Sequence, residues 1–379
     1  MEEGARVSKS VGPGGVTSSL KKLFADQNEK RKIRRYIKRD SMLAEAKTQL
    51  SDPAFASYRT EIADFWRLHF GHDVVPHWHL AFTKVTGKQD VGYIPGYIWN
   101  HKIVPLLNDF SVWKAFTDKN LSDVFLQTSN RPNTILHRMH GHYYRGHDLL
   151  PRPDVLPYLS EFDGEAFIIK GSRTDGGAGV RLLEIADKGI VVSGKRCAIA
   201  DLETMYGNDF LIQERIVQHE DMARVHPGSV NTIRVVTLRW RDEIVVLMSI
   251  ARFGVGDSLN DNLATGGLAC GIDQDGRLMD RAYDIKCRVF SEHPTTGYRF
   301  KDRMAVPSHE SVKEFARTLH KQIFHFDIVS WDIAVGQDGE PVFVEVNFHG
   351  GCDSYQLVCG RSLFGDLTEE ILHAVRDGR

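Results

Sequence analysis

Apolar and polar side chains alternate along residues 331–336 and again along 340–347, on either side of the dipeptide Asp338-Gly339. This pattern predicts two strands joined by a tight turn. Asp-Gly suits a two-residue type I′ turn, because both central residues must then take positive φ. With Gln337 opposite Glu340, counting outward sets Asp332 opposite Glu345 on one face, and Asn347 follows one alternation further on. Ile333, Val335, Val342, Val344 and Val346 take the other, core-directed face.

Helical spacing marks four further stretches. Leu20, Leu23, Phe24, Ile33, Tyr36 and Ile37 recur at roughly helical intervals among Lys21, Lys22, Lys30, Arg31, Lys32, Arg34, Arg35, Lys38 and Arg39. A basic amphipathic helix of this kind lies on a membrane or, more commonly, packs on its own domain. Residues 55–70 and 367–375 are expected to be helical, and 311–324 places Val312, Phe315, Ala316, Leu319 and Ile323 on one stripe. Short strands are expected at 167–170, 180–185, 210–217 and 244–251, with another opening at Asn231. Residues 271–280 form a second hairpin on Asp275-Gly276, and residues 1–19 read as a leader without periodicity.

At 379 residues the chain exceeds a comfortable single core, so two or three subdomains are expected. Lys+Arg 48 against Asp+Glu 50 gives a net charge of -2, which supplies no global attraction to nucleic acid or anionic lipid. No apolar run reaches the length of a membrane span, and the first residues lack the apolar segment of a signal peptide, so a cytoplasmic location is expected. Five scattered cysteines without a C-x-x-C pair argue for reduced thiols rather than a disulfide framework or structural zinc. Two histidine-dense patches, 69–79 and 137–147, lack H-E-x-x-H and are read as hydrogen-bonded or substrate-facing.

The acids of the hairpin bring in chemistry. Two carboxylates and an amide oxygen, with no sulfur or imidazole among them, suit a hard cation such as Mg²⁺ that keeps waters and phosphate oxygens as further ligands. Upstream, the strand 167–170 ends in Lys170 and runs into a glycine-rich segment containing Gly176, Gly177, Ala178 and Gly179, after which strand pattern resumes. A Walker loop or a dinucleotide fingerprint would open a helix there. A glycine loop between two antiparallel strands is instead a flap, whose backbone N–H groups can close over phosphates. Protein kinases share such a flap, but neither H-R-D-x-x-x-x-N nor D-F-G occurs. Arg234 and Arg252 lie on a strand pair where they could bind phosphate or carboxylate bidentately. The long loop 254–271 offers Asn262, Gly266 and Gly267 as substrate contacts.

Taken in order, lysine, glycine flap, the strand 210–217, the arginine strand pair and an Asp…Glu-x-Asn hairpin resemble the ATP-grasp superfamily. The strings NTIRV, GG after Asn262 and VEVN followed by GG look most like its sugar-transfer-associated branch. The resemblance implies an α+β fold holding ATP between two subdomains. It implies an N-terminal domain over 61–160, a lid with the flap over 161–217 and a C-terminal subdomain with the metal site over 218–379, while the basic, partly helical extension over 1–60 lies outside it. Lys119 and Lys170 would hold phosphates, Gln213, Glu214 and Ile216 adenine or ribose, and Asp332, Glu345 and Asn347 Mg²⁺. Arg234 and Arg252 would stabilise the transferring phosphoryl group. The implied activity is carboxylate–amine ligation through an acylphosphate, with an amino acid and an amino sugar or sugar nucleotide as small-molecule substrates and no nucleic acid. The alternatives are a kinase acting on a sugar or polyol hydroxyl and a nucleotide-binding accessory protein without turnover.

Overall fold

The computed structural model describes residues 31–174 and 177–378, apart from 36, 39, 40 and 178. The expected leader, the first part of the basic helix with Leu20, Leu23 and Phe24, Tyr36, and Gly176 and Ala178 of the flap lie outside the described residues.

Two antiparallel sheets organise the chain. The first comprises β1 (Thr134–Met139), β2 (His142–Arg145), β3 (Asp148–Leu150), β4 (Ala166–Gly171), β5 (Arg181–Ala186), β6 (Gly189–Val192), β7 (Lys195–Cys197) and β8 (Phe210–Glu214), in the order β3-β2-β1-β8-β4-β5-β6-β7. The boundary expected at 160/161 therefore runs through a sheet. β1 pairs with β8, Leu136 opposite Ile212, and buries Ile135 and Leu136 in the core shared with Phe167, Ile169 and Leu183. The flap sits where expected, between the antiparallel pair β4 and β5.

The second sheet comprises β9 (Ile233–Trp240), β10 (Glu243–Phe253), β11 (Leu268–Ile272), β12 (Leu278–Tyr283), β13 (Val289–Phe290), β14 (Ile328–Val335) and β15 (Pro341–Asn347), ordered β13-β12-β11-β10-β9-β14-β15. Both faces are buried. Ile233, Val235, Ala251 and Ile333 meet the stripe Val312, Ala316 and Leu319 of the helix His309–His320, the centre of the stretch expected at 311–324. Val236, Leu238, Met248, Ile250 and Ile328 form the other face and pack in one core with Ile62 and Trp66 of helix Ala56–Phe70, Trp78 of His77–Thr86 and Ile371 of Thr368–Asp377. Period two then carries Arg234, Arg252 and Asp332 onto that second face, at the end where its apolar lining stops.

The hairpin keeps the expected opposition of Asp332 and Glu345 by a different route. Only Gly339 has positive φ, +85°; Asp338 is not among the positive-φ residues, so the turn is not type I′. The Gly339 N–H donates to the Gly336 carbonyl at 2.9 Å, and Gly336 N–H to the Glu340 carbonyl at 2.8 Å, so Gln337 does not pair with Glu340. Val335 is opposite Pro341, one residue out of the expected register, and a bulge between Asp332 and Ile333 restores it. The extra residue of that bulge is Val344. Phe343 and Val346 face the core, while Val342 and Val344 are only half-buried, which corrects the expected apolar face. The second Asp-Gly turn repeats the geometry, with Gly276 at φ +72° and its N–H on the Asp273 carbonyl.

Candidate active site

A cleft lies between the sheets. From the first sheet, β4 turns Phe167 and Ile169 into its core and, by period two, Ile168 and Lys170 toward the cleft. β8 adds Gln213, whose amide donates to Thr134 Oγ1 at 2.8 Å, and Glu214, whose carboxylate accepts from the Asn133 N–H at 3.2 Å. Ile168, Ile216 and Val344 contribute to the apolar part of the lining, with Val180, Val230 and Leu259.

The second sheet contributes a row of charges. Glu345, Asp332 and Arg234 occupy opposed positions on β15, β14 and β9. Like charges directly across a strand pair repel. Two arginines offset this: Arg234 donates Nε and Nη2 to the two Asp332 oxygens at 2.6 Å each, and Arg252 Nη2 lies 2.9 Å from Asp332 Oδ2. Burial raises the Asp332 carboxyl, but the two guanidinium groups outweigh it and hold it below the ordinary carboxylate value. Asn347 completes the row with its amide 3.4 Å from Asp332 Oδ2.

Arg252 is gripped from the far side as well. Its Nη2 lies 3.0 Å from Asp261 Oδ1, and Nε and Nη2 donate to Thr232 Oγ1 at 3.1 and 2.8 Å. Asp261 in turn accepts the Thr232 N–H at 2.7 Å and its hydroxyl at 2.6 Å.

Two lysines cross the cleft toward this acidic end. Lys119 is placed by a short turn whose Asp118 side chain accepts the Asn120 N–H; its Nζ donates to the Thr174 carbonyl at 2.6 Å and lies 3.1 Å from Glu345 Oε1. Lys170 keeps part of its surface open to the cleft and is otherwise enclosed by protein. Burial, reinforced by the Lys119 charge, pulls its ammonium down to about 8, against the opposing pull of Glu345 and Asp123.

The structure thus brings Lys119, Lys170, Gly177, Gln213, Glu214, Ile216, Arg252, Asn262, Asp332 and Glu345 to one cleft. Arg234 and Asn347 stand behind Asp332 rather than in the lining. A Cβ on Gly177, at φ +72°, would meet the Asn260 side chain at 2.9 Å, and the Gly179 carbonyl accepts from the Tyr206 hydroxyl. Asn262 caps a short turn by accepting the Ala264 N–H at 2.8 Å. Gly266 and Gly267 do not border the cleft: Gly266 has φ +101°, and a Cβ on Gly267 would meet the Asp261 carbonyl oxygen at 2.5 Å. They shape the loop that delivers Asp261 and Asn262.

Among the described residues no group of three or more His, Cys, Asp or Glu converges as a metal nest. Within the histidine patches His69, His72, His79 and His137 make ring hydrogen bonds. His79 is buried against Trp66 and the Val91 carbonyl, with its imidazolium disfavoured by burial down to about 3, and His137 bonds Asn120 at 3.0 Å. Asp261, Thr232, Thr174 and Asn260 escaped the sequence reading. The first two act through a loop whose path no periodicity announces, and the last two meet the flap across long sequence separations.

Residues 99–371 match the family described as sugar-transfer associated ATP-grasp. The chain belongs to that family. The ATP-grasp fold accounts for the two antiparallel sheets with the cleft between them. Among solved structures, the ATP-grasp chain is similar to a D-alanine–D-alanine ligase from Bacillus anthracis, at 15% identity over 71% of each chain with a TM-score of 0.38. It is also similar to a D-Ala:D-Ser ligase from Enterococcus faecalis, at 13% identity over 71% of this chain and 63% of that one, TM-score 0.38. A third is the biotin carboxylase domain of a 2-oxoglutarate carboxylase from Hydrogenobacter thermophilus, at 12% identity over 72% of this chain and 48% of that one, TM-score 0.41. No residue role is taken from likenesses this distant. Comparison with curated proteins gave no match.

Proposed function

We propose that this ATP-grasp protein is an ATP- and Mg²⁺-dependent carboxylate–amine ligase that joins an amino acid to an amino sugar, or its nucleotide-linked form, in cell-surface polysaccharide synthesis. One observation carries the reading: Lys119 and Lys170 from one side and Asp332, Glu345 and Arg252 from the other meet at a single cleft. Such a set suits a polyphosphate held by cations at one end and by a metal platform at the other.

Ile168, Ile216 and Val344 offer apolar walls to a purine, with Gln213 and Glu214 bordering adenine or ribose. Lys119 and Lys170 would hold phosphates, under the flap of Gly176, Gly177, Ala178 and Gly179. The donor set fits Mg²⁺. Glu345 already carries a cation, the Lys119 ammonium, whereas the Asp332 oxygens are largely committed to arginines and Asn347 stands behind Asp332, so Glu345 is the freest of the three proposed ligands and phosphate and water oxygens would supply the rest. Bound there, Mg²⁺ neutralises charge on the phosphate oxygens.

In the proposed reaction a substrate carboxylate oxygen bonds to the γ-phosphorus while the bridging P–O bond breaks, and ADP leaves with the electron pair. The amine then attacks the acyl carbon, phosphate departs with the C–O electrons, and the amine gives up a proton. Arg252, and Arg234 behind it, stabilise charge on the transferring group, while Asn262 lines the substrate end beside the Gly266-Gly267 turn. Positioning and charge neutralisation supply most of the acceleration in such a step.

The test is ADP and phosphate release across a panel of amino acids and amino sugars. Release only when carboxylate and amine are both present supports the ligase. A stable phosphoester would point to a sugar or polyol kinase, and no ADP with any candidate would favour a nucleotide-binding accessory protein.

A further inference from the structure

Nine of the chain's 48 Lys and Arg residues fall between positions 20 and 39, against two of its 50 acids. This segment precedes the family match at 99–371, so nothing in the proposed chemistry accounts for it. Among the described residues here, Arg31, Lys32, Arg34, Arg35 and Lys38 are exposed, while Ile33 is half-buried and Ile37 is 6% exposed. The two isoleucines pack into the core that contains Trp66 and Trp78. At about 100° per residue, the five cations fan over the arc opposite those isoleucines.

None of the five makes an ion pair or side-chain hydrogen bond with another described residue. Glu45, the nearest described acid in sequence, is taken by Lys84 at 3.3 Å. Among the described residues these charges thus have no ion-pair partner, and a protein of net charge -2 carries them on one helix.

We propose that this face docks the protein electrostatically on an anionic lipid bilayer. In the described part of the helix the apolar side is already spent on the protein's own core, so contact there is through charge. Clusters of four to eight Lys and Arg on one helix face are suited to anionic headgroups. A plane of headgroups needs only one arc.

The test is cosedimentation of the full chain with vesicles of phosphatidylcholine alone and with vesicles of phosphatidylcholine and phosphatidylglycerol in equal parts. Binding is expected to the mixed vesicles only and to vanish in high salt, where the screening length falls from about 10 Å at 0.1 M to about 3 Å at 1 M. Replacing Arg31, Lys32, Arg34, Arg35 and Lys38 by Gln should weaken partitioning at least about tenfold, with the circular dichroism and melting curve unchanged. No sedimentation, equal sedimentation of the variant, or binding that survives high salt would each overturn the proposal. So would binding to poly(U) without binding to the mixed vesicles.

Discussion

Arg234 and Asp332 stand directly opposite each other on β9 and β14 and share two hydrogen bonds of 2.6 Å, with Arg252 approaching the same carboxylate at 2.9 Å. Asp332 is 1% exposed, so its removal leaves the Arg234 guanidinium without its carboxylate partner, while Arg252 keeps Asp261. Asp332→Ala should therefore lower the unfolding free energy by about 3–5 kcal/mol. The double variant Arg234→Met, Asp332→Leu should lose less than the sum of the single changes, as urea denaturation would measure. The depressed carboxyl also sets a sign with pH: its stabilisation is present above the unfolded value of 3.8 and is lost as pH falls through the lower folded value.

Lys170 is also shifted down, but for a base the lowered value marks a cost of folding rather than a gain. Below about 8 its ammonium is charged in both folded and unfolded chains, and folding bears the whole cost of enclosing it. Between about 8 and 10.5 the unfolded chain binds more protons, so this residue's contribution to stability rises with pH. Nucleotide affinity should run opposite, falling as pH passes 8 because the phosphate partner loses its charge. Titration calorimetry across pH 7 to 9.5 checks this, and Lys170→Arg should flatten the profile if it still binds.

Much of this arrangement was legible in the chain, but not for every reason first given. The opposition of Asp332 and Glu345 survives because a turn one residue longer than expected is cancelled by a one-residue bulge. Neither feature has a sequence signature that separates it from a plain hairpin, since Asp-Gly serves both turn types. Strands β1 to β3 were hidden beneath the histidines of 137–147, whose side chains suggested chemistry where the backbone was building a sheet. The charge row itself was readable because period two holds along β9, β10 and β14. Its clamp, Asp261, was not, because it arrives on a loop.

The bulge separates two neighbouring residues by function. Phe343 is 4% exposed in the core and Val344 lines the cleft. Phe343→Ala should cost about 3–5 kcal/mol of stability. Val344→Ala should leave the melting temperature nearly unchanged and raise the nucleotide KM about fivefold, the loss expected for roughly 1 kcal/mol of apolar contact. Equal effects of the two on stability would contradict the observed register.

Asp261 accepts two bonds from Thr232 and pairs with Arg252. Asp261→Asn keeps the shape but removes the charge that orients the guanidinium, so stability should fall by about 1–3 kcal/mol. Its kcat should drop further than its nucleotide KM rises, which steady-state kinetics with saturating second substrate would resolve.

Glu345 Oε1, 3.1 Å from Lys119 Nζ, is proposed to close the metal end of an ATP site. Glu345→Gln preserves volume while weakening the ligand, and its ADP release at limiting Mg²⁺ is the most direct measurement. The account predicts turnover abolished with the thermal unfolding curve intact; near-normal ADP release at limiting Mg²⁺ would contradict it.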